Sequence, residues 1–477
     1  MMRILPYCVC FIFLWITKEP YAYAQPTPNQ AASAHKVAAN SHYIIGNINI
    51  VGNKKTKSAI ILREVPFKTG DTYLMTILLQ KFEDGRKQLM NTALFNNVVV
   101  AAQHFLGDTV TIEITVKERW YLYPVPYFKP VDRNLNQWIV EQKGSLARVN
   151  YGAKLLYYNA TGHNDKLKMF LITGYTKQLS FGYDRLYIDK KMKWGIRLNY
   201  TTGNGREVFY NTIQNKQVFL KDENKFLRYF TNASMELTYR RAIRARHSFG
   251  FTWQYERVSD TALRLNPGYF IAGNSLGAPG FFYNLSYADL DYNPYPTKGY
   301  AANISFVKQG LNKNFNLWML DAKFFASREL FKKTYLSMSV YGSIKLPFQQ
   351  PYIGKRFLGF GDTFMQGYEY YIVDGVLGGY LKTTFTREVL NFKVRIPTIK
   401  KGKPAEYIPV RIFGKLYGNT GYVYNPQPGD NFLSNKMLYS GGIGIDILTF
   451  YDVTFKLEWS FNQLGENGLF LHRKSIF

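Results

Sequence analysis

Histidine and cysteine are the residues here most able to hold a metal or supply a nucleophile, and their spacing points to neither role. His35, His42, His104, His163, His247 and His472 are scattered, and none pairs at metal-ligand spacing. Cys8 and Cys10 both fall within the first 24 residues, so the rest of the chain offers no thiol partner. No Gly-x-Ser-x-Gly elbow occurs. Dispersed Ser, His and Asp could still form a hydrolase site that leaves no local signature. We therefore expect no catalytic, metal or cofactor residues and no enzyme. Two other stretches concentrate polarity. "RRAIRARH", Arg240–His247, packs five basic residues into eight; it suits either a phosphate or acidic contact or a solvated turn, with the turn preferred. "GFGDTFMQGYEYY", Gly359–Tyr371, is punctuated by glycine, rich in aromatics and carries a single Gln at 366.

The elements that must position these stretches change along the chain. Residues 1–24 read as an export signal: Arg3 supplies the positive start, "YCVCFIFLWI" the apolar core and "AYA" at Ala22–Ala24 the cleavage site. Residues 25–41 read as a polar, Pro-containing lead. Residues 42–119 carry a strand ("YIIGNINIVGN"), a short helix stopped by Pro66, a longer helix over Leu74–Phe95, and two strands. Leu74, Ile77, Leu78, Phe82, Leu89 and Leu94 are expected on one face of the longer helix. Val110, Ile112, Ile114 and Val116 share one face of the last strand.

From residue 120 to 477 period-two alternation replaces helical periodicity. In "DVTFKLEWSF", Val453, Phe455, Leu457, Trp459 and Phe461 oppose Thr454, Lys456, Glu458 and Ser460. Many alternating strands build either a soluble sandwich or propeller, or a transmembrane barrel with lipid outside and water inside. Three features favour the barrel: charged residues on the polar face, an aromatic content of 17%, and the terminal Phe477. The fold class is therefore mostly β: a 16-stranded transmembrane antiparallel β-barrel preceded by one small β-α-α-β-β domain. The net charge of +27 lies mostly in the barrel half. In an exported aromatic-rich chain it fits anionic outer-membrane lipids or a basic lumen better than nucleic acid.

This plan resembles the BamA/TamA outer-membrane assembly family, the bacterial surface antigen superfamily. "INIVGNKKT" (Ile48–Thr56), "TGD" (Thr69–Asp71) and "LMNTALFNNVVV" (Leu89–Val100) are similar to a single POTRA domain. "YPTKGY" is similar to the family's turn before a strand, at Pro296, Thr297 and Gly299. "MQGY" (Met365, Gln366, Gly367, Tyr368) is similar to the tip of the loop that the family folds into the lumen, with Gln366 where relatives carry arginine. The resemblance implies that this loop is anchored by Glu388 and by Asn419, where relatives carry Asp. A buried Arg–Asp pair would then have become a Gln–Asn pair. On that reading Gln366→Arg alone destabilises and Asn419→Asp rescues it.

The resemblance further implies an outer-membrane location with a periplasmic POTRA domain. The implied function is insertion and assembly of other outer-membrane proteins, by POTRA strand pairing and a lateral barrel seam. Unfolded outer-membrane protein clients and lipids would be its partners, together with periplasmic chaperones or accessory lipoproteins, and it would use no cofactor. The alternative is a two-partner-secretion-like pore exporting one dedicated protein. A passive porin is a third reading.

Overall fold

In the strands with the cleanest alternation, the apolar side faces outward and the polar side is buried. Phe455, Leu457, Trp459 and Phe461 are exposed, whereas Thr454, Glu458 and Ser460 are at most 1% exposed. The sixth barrel strand, Arg228–Tyr239, repeats the pattern with Met235 outward and Glu236 buried. A sandwich core would require the reverse. Only a closed sheet with hydrocarbon outside and a packed polar interior places these side chains favourably.

A computed structural model describes residues 41–131, 138–139, 143–312, 315–396, 406–449 and 452–474. The expected leader, all but Ser41 of the lead, and Phe477 lie outside the described residues. Sixteen antiparallel strands run in chain order, each bonded to the next, from Leu122–Pro130 to Asn467–Lys474 at the two ends of the row. A separate hairpin, Glu207–Ile213 with Lys216–Lys221, projects from the connection between the fifth and sixth strands. Rings near one rim form an aromatic band, with Trp194 against Tyr239 and Phe249 against Tyr283, as a membrane interface favours.

The N-terminal domain runs β1 (His42–Val51), α1 (Ser58–Glu64), β2 (Thr72–Leu74), α2 (Met75–Asn91), β3 (Phe95–Leu106) and β4 (Thr109–Glu118). Its sheet order is β2-β1-β4-β3, with β1 and β4 parallel. The three-residue β2, between the helices, adds an element to the expected order; at that length periodicity carries no signal. Helix α2 stops short of the expected Phe95 because Thr92 caps it and Ala93 takes a left-handed φ of +60°. Leu78, Phe82 and Leu89 face the core, but Ile77 is exposed, since it sits one residue round the helix from Leu78. Val110, Ile112, Ile114 and Val116 are all buried, as their alternation predicts.

This domain docks on the barrel rim that carries the connections between even and odd strands. Lys57 N donates to Gly162 O (3.0 Å), and Asn159 Nδ2 to Thr56 Oγ1 (3.0 Å). Arg119 pairs with Asp452 at 2.6 Å, and Asn91 Nδ2 donates to Leu290 O at 3.1 Å. Glu64 accepts from Arg240 at 2.5 and 2.6 Å and from Arg63 at 2.9 Å. Burial alone would raise the Glu64 carboxyl, but the hydrogen bonds and charges of Arg240 and Arg63 hold it at about 2.

A carboxyl depressed in the folded state contributes fully above its ordinary pKa of 4.5 and loses that contribution as pH falls toward about 2. The shift corresponds to about 3 kcal/mol. Spin labels on α1 and on the 240–244 turn should therefore keep one sharp distance at pH 7 and broaden below about pH 4. Arg240→Gln should produce that broadening already at pH 7.

Candidate functional site in the barrel lumen

The 30-residue connection between the eleventh strand (Thr334–Leu346) and the twelfth (Leu377–Ile396) turns back into the barrel. Its interior is apolar. Phe357, Leu358, Met365, Tyr368, Tyr371 and Val373 pack with Tyr380, Val423 and Leu438 of the wall and with Leu433 of the connection after the thirteenth strand. Met365 fits because the facing wall residue is glycine: a Cβ on Gly421 would lie 2.5 Å from Met365 Sδ. Gly367 has φ +87°, and a Cβ there would meet Phe461 O at 2.9 Å, so the tip requires glycine. Polar bonds fix the same tip. Asn462 Nδ2 donates to Gly367 O (2.8 Å), Gly367 N to Glu369 Oε2 (2.8 Å) and the Tyr368 hydroxyl to Tyr439 O (3.0 Å).

Gln366 does not meet the partners expected of it. Its Nε2 approaches Glu458 Oε1 at 3.5 Å, and its Oε1 is buried without a partner. Asn419 is buried and faces the lumen, but its Nδ2 donates to Ser440 Oγ at 3.1 Å and its Oδ1 is also unpartnered. Among the described residues no hydrogen bond joins the two amides. Glu388 stands apart from the loop: it pairs with Arg411 at 2.5 Å and Lys333 at 3.2 Å. The physical reason is register. Glu388 follows Leu377 by eleven residues, which at ~3.3 Å per residue puts it about 36 Å down the strand, near the rim that bears the N-terminal domain.

The groups that do meet the loop come from other strands, to which the family resemblance does not point. Lys415 Nζ, on the thirteenth strand (Glu406–Tyr424), lies 2.5 Å from Asp446 and 2.5 Å from Glu458. It reaches Glu458 two strands away because residue 444 between them is glycine. A Cβ at Gly444 would stand 2.9 Å from Lys415 Cε and 3.3 Å from Glu458 Cγ. His472 Nε2, on the last strand, is 3.3 Å from both Glu458 and the loop's Glu369. One end of the network is the expected turn. Thr297 N and Lys298 N both donate to Asp291 Oδ1 at 3.0 Å, and Thr297 Oγ1 bonds Asp291 Oδ2. Gly299 holds φ +105° where a Cβ would collide with Asp289 O, and Pro296 follows Tyr295 in this turn. Tyr295 stacks on Phe413 and donates to Asp446 Oδ2 at 2.9 Å.

A continuous polar path therefore crosses the lumen, from Tyr295 through Asp446, Lys415 and Glu458 to His472, Glu369 and Gln366. Lys415 supplies the buried cation that the family resemblance places on the loop. Alternation alone puts Lys415 and Glu458 on the polar faces of their strands. Their adjacency depends on inter-strand register and on Gly444, which have no local signal. No group of three or more His, Cys, Asp or Glu able to hold a metal occurs among the described residues.

Residues 43–119 match the family model described as POTRA, surface antigen variable number repeat. The outer membrane protein assembly factor BamA of Neorickettsia risticii (strain Illinois) is 32% identical over 85 residues, covering 18% of this chain and 11% of that protein. The crystal structure of BamA from Haemophilus ducreyi lacking POTRA domains 1–3 superposes with a TM-score of 0.50 at 14% identity, covering 91% of this chain and 84% of that one. CdiB from Acinetobacter baumannii gives 0.48 at 11% identity, covering 89% and 71%. The class is thus an outer-membrane β-barrel with one periplasmic POTRA domain docked at its inner rim. Residues 43–119 are thus similar to a POTRA domain, and the sixteen-stranded sheet shares the fold of the BamA barrel; the chain spans about a tenth of the length of the BamA protein it matches.

Proposed function

We propose that this protein assists the insertion and assembly of other outer-membrane β-barrel proteins, without enzymatic chemistry or cofactor. In this reading residues 1–24 are the leader, 25–41 a lead, 42–119 the POTRA domain and 120–477 the barrel. The observation that carries it is the POTRA sheet docked across the barrel's periplasmic rim with β3, a 12-residue strand, at its edge. An edge strand offers a row of backbone donors and acceptors that an extended client pairs with irrespective of its sequence. The first and last barrel strands end the row of sixteen. That pair is the seam along which a client strand would add. The driving force is the client's own burial of apolar faces in lipid as its ladder closes. The lumenal loop keeps the pore filled while this happens, and the Lys415 network holds the loop to the thirteenth to sixteenth strands beside the seam.

Depletion of the protein followed by quantitative outer-membrane proteomics tests this. Several unrelated barrel proteins should fall together. If those barrels persist and one exported protein is instead retained in the periplasm, the chain is a dedicated secretion pore. Chaperones and accessory lipoproteins as partners would appear by crosslinking from β3.

A further inference from the structure

The joint between the POTRA domain and the barrel forms a half-open recess of about 210 Å³, room for several waters or a hydrated oxyanion. Four arginines line it, Arg185, Arg240, Arg244 and Arg246, against two carboxylates, Glu64 and Asp289. Both carboxylates are already engaged: Glu64 by Arg240 and Arg63, Asp289 by Arg244 at 2.8 Å. Arg185 is brought in by a bulge, where the ladder to the fifth strand shifts between Tyr183 and Leu186. It holds φ +65°, an unfavourable conformation for a side chain of its size. Its Nη1 donates to Asn164 O and Oδ1 at 3.1 and 2.7 Å. Arg246 makes no ion pair or hydrogen bond among the described residues; the carboxylate charge that acts on it is that of Glu64, which Arg240 and Arg63 already engage. Alternation fixes its side: Phe249, Phe251 and Trp253 are exposed outward, so Arg246 is on the lumenal face of the seventh strand, Ala245–Val258. Arg240 Nε is buried without a partner.

Excess guanidinium charge gathered in a recess, one group held by a strained bulge, costs stability unless a negative group fills it. We propose that this recess binds a phosphate-type oxyanion, with Arg246 and Arg185 as its main ligands and Arg240 Nε as a further donor. Guanidinium forks match the oxygens of a tetrahedral anion. Because Glu64, Gln88 and Asn91 of the POTRA domain close the other side, the bound anion ties that domain to the barrel rim. The lumenal position favours a free anion from the periplasm; a lipid headgroup phosphate has the same chemistry.

The test uses the full chain in zwitterionic detergent, titrated calorimetrically with inorganic phosphate at constant ionic strength against chloride. Saturable binding is expected, with sulfate competing. Arg246→Gln should weaken it at least tenfold, and Arg246→Lys, which keeps the charge but loses the fork, about threefold or more. Phosphate binding no stronger than chloride overturns the proposal. So does an affinity unchanged in Arg246→Gln, or, if that variant does not fold, in Arg246→Lys. A parallel titration with dihexanoyl phosphatidic acid assigns the source: tighter binding than inorganic phosphate names a lipid headgroup, weaker binding names the free anion.

Discussion

Lys415→Met is expected to destabilise the barrel by about 3–5 kcal/mol, the cost of removing one partner from a buried ionic group. Methionine fills a similar volume, so the loss is electrostatic rather than a cavity. Asp446 and Glu458 would be left facing each other in a water-poor lumen, with both side chains at most 4% exposed. Urea unfolding followed by heat-modifiable migration should show a lower midpoint. Glu458→Gln added to Lys415→Met should recover much of the loss, because it removes half of the uncompensated charge. A sharper outcome concerns the loop. Gln366 already lies 3.5 Å from Glu458, so an arginine there could replace the missing cation. Gln366→Arg should change the native chain, where Lys415 faces Asp446 and Glu458 together, less than it changes Lys415→Met, which it should rescue. If the double variant is no more stable than Lys415→Met alone, the two positions do not share one cation site. This cycle is a more direct test than the one with Asn419→Asp, because Asn419 bonds Ser440 rather than the loop.

Gly367→Val is expected to expel the loop tip. Its φ of +87° is strongly disfavoured for a β-branched residue, and its Cβ would meet Phe461 O at 2.9 Å and Ser440 Cβ at 3.0 Å. The strain is of order 1–3 kcal/mol, to which the bonds from Asn462 and to Glu369 are added if the tip lifts. The apolar cluster around Met365 and Tyr368 would then lose its closure. Single-channel recording in planar bilayers should show larger and noisier conductance than the native barrel. Gly361 provides the control. It also holds a positive φ, but a Cβ there would have open space for 4 Å around it. Gly361→Asn should leave conductance unchanged, since Asn tolerates left-handed φ.

The family turn and the loop tip, read from their resemblance to family motifs, held because their requirements are local. Gly299 and Gly367 both sit where a side chain would collide with backbone, and Thr297 bonds Asp291 within six residues. The polar faces of the strands were legible for the same reason: Lys456, Glu458 and Ser460 alternate with residues that can only face lipid. Glu388 and Asn419 were placed by similarity of short segments. Such similarity carries no information about depth along a strand, and Glu388 proved to be at the wrong depth. The Arg240–His247 run, preferred as a solvated turn, instead sends Arg240 to Glu64 and Arg246 into the joint, because a domain distant in sequence covers that turn.

The amino-acid sequence by itself therefore determined the two-part plan and the inside-out alternation of the barrel, since each depends on periodicity within a few residues; the turn and the loop tip were read from their resemblance to family motifs. Only the tertiary structure decided which charges meet. Lys415, Asp446, Glu458 and His472 lie on four different strands, and their contact is fixed by register across the sheet and by the missing side chain at Gly444.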